Sequence, residues 1–227
     1  MAEYLEAIQQ ETGPDPQYCV IWMHGLGADG YDFAPIVPEL GLPKFPAIRF
    51  LFPHAPMRPV TINNGFVMRA WYDILGTDLA RKEDERGVRA SQALVEALMA
   101  REKARGIPAS NIVLAGFSQG GAIALQTGLR QTDRIAGIMA LSTYLPISET
   151  VDAERAAANH DVPIFMAHGV QDPMIVLPHA RRSRDKLNEL GYAVEWHEYM
   201  MPHSVCPEEI RDIGNWLRKV FGLGPLK

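Results

Sequence analysis

The chain has 227 residues, 47% of them hydrophobic and 22% charged, with a formal net charge of −5. This is the size of one large globular domain, expected to span residues 1–227, and the composition excludes wholesale disorder. The acidic balance argues against nucleic-acid partners, and no apolar run approaches the roughly 20 residues of a membrane span.

In chain order, residues 5–12 are ambiguous between a helix and a leading antiparallel strand. Residues 18–23 and 47–51 read as strands. Residues 53–59 are proline-rich, and Asn63-Asn64-Gly65 lies between Val60-Thr61-Ile62 and Phe66-Val67-Met68. That pattern predicts a small hairpin over 59–69, outside the main sheet. Residues 76–87 are dominated by mixed charge, which reads as a solvated helix start. The helix itself is expected over 83–105, with Val88, Gln92, Val95, Met99 and Glu102 on one stripe. Residues 111–115, 135–141, 162–167 and 193–199 read as further strands, and 122–129, 174–190 and 207–221 as helices. Ile112-Val113-Leu114-Ala115 is unbroken apolar, as a strand covered on both faces should be. Strand–helix alternation of this kind predicts an α/β fold, a mainly parallel sheet with helices on both faces.

Cys19 and Cys206 stand far apart in sequence and read as free thiols. The first residues, Met1-Ala2-Glu3-Tyr4-Leu5-Glu6, lack a basic region followed by an apolar core. A secretory signal is therefore not expected, and a cytoplasmic location is.

Gly116-Phe117-Ser118-Gln119-Gly120 fits G-x-S-x-G, directly after an apolar strand and at the start of a helical run. A nucleophile elbow needs that strand–turn–helix context, which holds the serine Oγ at the carboxyl end of the sheet. The structural alternative is a glycine-rich turn that only packs tightly. A serine hydroxyl is a weak nucleophile and needs a base held by an acid. In this class of site the chain order is Ser, then Asp or Glu, then His. Asp172 follows the strand 162–167, where a parallel sheet delivers side chains to its active face. Asp133 precedes a strand, and Asp152, Asp161, Asp185 and Asp212 fall in helices or before strands. His203 lies in a loop after the last strand, whereas His179 falls in a helix and His197 within a strand. His24 and His168 read as hydrogen-bonding residues that shape turns, and His54 and His160 as turn residues. The backbone N–H of Gln119, just after the nucleophile, is the expected first oxyanion donor. The glycine-rich turn His24-Gly25-Leu26-Gly27 fits a second donor, or an ordinary strand–helix turn. Metal-site spacings and phosphate-binding loops are lacking, so no metal or cofactor is expected. Cys206, three residues from His203, reads as an incidental thiol.

Taken together, His24-Gly25-Leu26-Gly27-Ala28-Asp29, Ala70-Trp71-Tyr72-Asp73, Gly116-Phe117-Ser118-Gln119-Gly120-Gly121, His168-Gly169 before Asp172, and Met201-Pro202-His203-Ser204 resemble one family. It is the carboxylesterase / acyl-protein thioesterase family, the phospholipase/carboxylesterase branch of the α/β-hydrolases. The segment from Pro53-His54-Ala55-Pro56 to Asn63 is most similar to its bacterial carboxylesterases. The resemblance implies an α/β-hydrolase fold without a large cap, residues 53–87 alone being long enough for a partial lid. It implies a triad of Ser118, Asp172 and His203, with Leu26 and Gln119 as the oxyanion donors. It also implies an acyl groove beside the lid, with Trp71, Leu75, Met174, Ile175 and Val176 as lining residues. Two departures, Pro173-Met174-Ile175 after Asp172 and Arg69-Ala70 before Trp71, bear on substrate preference rather than on the chemistry. The implied activity is hydrolysis of carboxylic esters of short-to-medium acyl chains, or of acyl thioesters. The substrate could be a small molecule, a lipid or an acylated protein, with no integral membrane association. A lysophospholipase uses the same constellation, and a catalytically silent hydrolase-fold receptor is the rival from another class.

Overall fold

The computed structural model describes residues 4–76 and 83–224. Nine strands and five α-helices occur among them, with four short 3-10 helices. The strands are β1 (Ala7–Glu11), β2 (Tyr18–Met23), β3 (Ile48–Pro53), β4 (Met57–Val60), β5 (Phe66–Arg69), β6 (Ile112–Phe117), β7 (Gly137–Leu141), β8 (Ile164–Gly169) and β9 (Val194–Tyr199). The helices are α1 (Glu85–Ala104), α2 (Gln119–Arg130), the single turn α3 (Val151–Glu154), α4 (Leu177–Glu189) and α5 (Pro207–Val220).

Seven strands form one sheet in the order β1-β3-β2-β6-β7-β8-β9. All neighbours run parallel except β1, which pairs antiparallel with β3 from Ala7 opposite Pro53 to Glu11 opposite Arg49. Successive side chains of a strand point to opposite faces, and here both faces are apolar. Ile21, Leu114, Ile138 and Met166 join one core with Val95 and Leu98 of α1 and Ile123 of α2. Val20, Trp22, Val113, Met139 and Phe165 join a second core with Ile36, Ile213 and Trp216. The unbroken apolar run in β6 thus serves two cores at once, and all six of its residues are buried.

The ambiguous 5–12 stretch is therefore the edge strand β1. Its side chains are half-buried or exposed, so the alternation that would have marked it is weak. The hairpin forms as a separate two-stranded sheet of β4 and β5, in register from Met57–Arg69 to Val60–Phe66. Its turn places Asn64 at φ 55° and Gly65 at φ 76°, which asparagine and glycine tolerate best. Part of the charge-rich stretch 76–87 lies outside the described residues. α1 begins at Glu85 because the Asp84 side chain caps it, accepting from the Gly87 N–H at 2.9 Å. α4 begins at Leu177 rather than at residue 174, because Val176 is extended at φ −60°, ψ 139° and Pro178 stands in the first helical turn. Among the described residues no helix is long and apolar enough to cross a membrane.

Candidate active site

The site is built at the carboxyl ends of β2, β6 and β8 and in the loop after β9. Ser118 sits between β6 and α2 at φ 54°, ψ −120°, a backbone state that costs a non-glycine residue about 1–3 kcal/mol. Its surroundings hold it there. The Ser118 N–H donates to the Leu141 carbonyl at 2.8 Å, and its carbonyl accepts from the Thr143 hydroxyl at 2.6 Å and from Ala122 N–H at 3.1 Å. The turn also needs bare backbone on either side. A Cβ on Gly116 would run into the Gly120 carbonyl, and one on Gly120 would meet the Met23 carbonyl. Gly116 and Gly120 are thus required by β6, α2 and β2 packing on one another at the elbow.

The loop after β9 carries His203 to this serine. His203 Nε2 lies 2.9 Å from Ser118 Oγ, and Nδ1 lies 2.6 Å from Asp172 Oδ2. Because a carboxylate only accepts, Nδ1 is the protonated nitrogen, which leaves Nε2 free to accept the serine proton. The imidazole packs on the Phe117 ring with centroids 4.7 Å apart. The Asp172 side chain is fully buried at the end of β8. Burial pushes its carboxyl up, but hydrogen bonds from His203 and from the Ile175 and Met174 N–H groups outweigh that and hold it below the ordinary value. It is therefore ionised near neutral pH. The structure brings Ser118, His203 and Asp172 into one hydrogen-bonded chain.

His24 and His168 do shape turns. His24 donates Nδ1–H to the Gly25 carbonyl at 2.7 Å and accepts from the Ala55 N–H at Nε2. Burial pushes its pKa down to about 4, so it stays neutral and fixes the turn that carries Leu26. His168 donates to the Ile175 carbonyl at 2.7 Å and is likewise held neutral by burial. Leu26 and Gln119 both border the hollow beside Ser118.

That hollow measures about 670 Å³. Ile175, Met174 and Val176 line it, but Trp71 and Leu75 do not. Trp71 is wholly buried, its indole N–H spent on the His24 carbonyl at 2.9 Å. Leu75 is 41% exposed: the Ile74–Glu83 bridge holds this extended segment so that Ile74 borders the hollow and Leu75 does not. The sequence reading missed Ile74, Tyr72 and Tyr144 as lining residues. It also missed the Gln119 side chain, whose amide accepts from Trp71 N–H and donates to the Tyr72 carbonyl, both at 2.7 Å. That amide ties the lid-side segment to the elbow. A second hollow of about 410 Å³, bordered by Phe33, Ile36 and Val205, shares Phe117 and His203 with the first.

A mainly parallel sheet with a strained serine at the β6–α2 turn defines the α/β-hydrolase class. The chain belongs to the phospholipase/carboxylesterase family, whose model matches residues 5–221. It is 39% identical to acyl-protein thioesterase 1 of Mycosarcoma maydis, with 94% of this chain and 95% of that protein covered. It is 42% identical to acyl-protein thioesterase 1 of Neurospora crassa, over 87% of this chain and 84% of that one. Among solved structures it is similar to Arabidopsis thaliana SOBER1, with a TM-score of 0.85 and 30% identity, covering 89% of this chain and 98% of the other. Zea mays acyl-protein thioesterase 2 superposes with a TM-score of 0.83 at 27% identity, covering 96% and 100%. The protein is a hydrolase of esters or thioesters.

Proposed function

We propose that the protein cleaves carboxylic esters and acyl thioesters of short-to-medium chains through an acyl-enzyme formed on Ser118. The observation that carries this reading is the unbroken chain of hydrogen bonds from Ser118 through His203 to buried Asp172, at the edge of an apolar hollow. His203 Nε2 takes the serine proton as Oγ attacks the acyl carbon. Asp172 holds the imidazole in the required tautomer and stabilises the imidazolium. The Leu26 and Gln119 N–H groups receive the developing oxyanion, with the α2 N-terminus adding a favourable field. His203 then protonates the leaving alcohol or thiol, which departs. Water, activated by the same imidazole, releases the acid and restores Ser118. No cofactor enters this cycle. The intact chain of polar groups disfavours a silent receptor, and the names of the relatives extend the substrate range to acylated proteins. Cys19 and Cys206 as free thiols support work in the cytoplasm.

The acyl chain is the part a substrate panel reads best. Full burial of one CH₂ is worth about 0.8 kcal/mol, a factor of roughly four. A hollow open to solvent covers each methylene in part, so about a twofold rise per carbon is expected. The kcat/KM values for p-nitrophenyl esters should climb from acetate to about hexanoate or octanoate and then level. Ile175→Ala should flatten that slope more than it lowers the acetate rate. A preference for acetate over every longer chain would show that the lid closes the groove.

A further inference from the structure

The hollow beside Ser118 has an apolar rim and a polar floor. Ile62, Met174 and Val176 at its edge are exposed to between 39% and 70%, and Ile74, Phe117 and Ile175 continue the apolar wall. At the bottom stand two buried tyrosines, Tyr72 and Tyr144, whose hydroxyl oxygens are 2.9 Å apart. They come from distant parts of the chain and both are firmly held. Tyr72 follows Trp71 and is pinned through its carbonyl by the Gln119 amide. Tyr144 lies between Thr143, bonded to the Ser118 carbonyl, and Leu145, whose N–H donates to the Ser183 hydroxyl at 2.9 Å.

Two hydroxyls carry two protons, and one hydrogen bond between them uses one. Among the described residues neither hydroxyl has another hydrogen-bond partner. The nearby Glu83 carboxyl accepts from the Ile147 N–H through Oε2 and makes no hydrogen bond to either phenol. Burial pushes both phenols above their ordinary range, so both stay protonated and the spare O–H persists as a donor. In the free protein water can take that donor. An alkyl chain that displaces the water leaves the donor without a partner, whereas an oxygen in the chain replaces it.

We infer that the Tyr72–Tyr144 pair is a polar subsite that selects acyl chains bearing an ether, keto or hydroxyl oxygen at one fixed distance from the scissile carbonyl. The inference rests on the acyl-enzyme reading above and names the class of acyl group that the site takes. A residue chosen only to fill the floor needs no hydroxyl, since phenylalanine packs the same volume.

An oxygen walk tests it. In p-nitrophenyl octanoate each CH₂ from carbon 3 to carbon 7 is replaced in turn by an ether oxygen. For each analogue, kcat/KM is divided by the octanoate value measured on the same protein sample, so differences in folded fraction cancel. The ratios are then compared among wild type, Tyr144→Phe and the Tyr72→Phe, Tyr144→Phe double variant, which cancels the intrinsic reactivity of each ester. The expected result is one position at which the ratio falls about five- to tenfold when the hydroxyls are removed, the size of one hydrogen bond, with the other positions little changed. Ratios that are the same in all three proteins at every position would overturn the inference while leaving the ester hydrolase intact. Failure of the wild type to cleave octanoate or any analogue would instead overturn the reading on which it rests.

Discussion

Ser118→Ala is expected to lower ester turnover by about 10⁶, the loss seen when a serine protease is stripped of its nucleophile. The hydroxyl is hydrogen-bonded to His203 and does not cap α2, so its removal takes the reacting atom away and little else. The strained φ of 54° is imposed by the Leu141, Thr143 and Ala122 hydrogen bonds to the Ser118 backbone, all of which alanine keeps. The melting temperature should therefore stay close to that of the wild type while kcat falls to background. A purified variant retaining a tenth of the wild-type rate would remove Ser118 from the reaction.

Asp172→Asn should cost about 10⁴ in kcat, by analogy with the same change in a serine protease triad. The two carboxylate oxygens have separate tasks here. Oδ1 accepts from the Met174 and Ile175 N–H groups, and an asparagine carbonyl can continue to do so. Oδ2 accepts from His203 Nδ1, and there asparagine presents an NH₂ donor instead. The imidazole must then carry its proton on Nε2, facing Ser118, where it can no longer act as the base. The loop geometry should survive and the chemistry should not. A loss below tenfold, measured alongside an unchanged circular dichroism spectrum, would show that His203 does not depend on this carboxylate.

Much of this site was legible in the sequence because its parts are local. The β6–elbow–α2 unit is contiguous, and the unbroken apolar run Ile112-Val113-Leu114-Ala115 leads straight into G-x-S-x-G, the mark of a strand that ends in a tight turn. Asp172 and His203 could be picked out because the ends of parallel strands and the loops beyond them face the same side. What escaped was set by contacts between distant residues. Tyr72 and Tyr144 meet across 72 positions, and Gln119 reaches 48 positions back to Trp71, so no window of sequence contains either pair. Only the family resemblance points to Trp71 and Leu75 as groove residues, and resemblance does not fix the direction of a side chain. A single indole hydrogen bond and one β-bridge turned them elsewhere. α4 starts later than the apolar pattern suggests because Val176 is extended and Pro178 stands in the first helical turn. Strand order was equally invisible, because periodicity reports which face is buried and not which neighbour is paired.

If the acyl-enzyme forms on Ser118 Oγ, the site of covalent capture shows it most directly. The protein is treated with a fluorophosphonate, which phosphonylates a serine activated by a histidine base, and the adduct is located by peptide mass spectrometry. One adduct per chain is expected, on the peptide containing Gly116-Phe117-Ser118-Gln119-Gly120, absent in Ser118→Ala and formed far more slowly in His203→Gln. An adduct on another residue, or none on a folded wild-type protein that hydrolyses esters, would contradict an acyl-enzyme on Ser118.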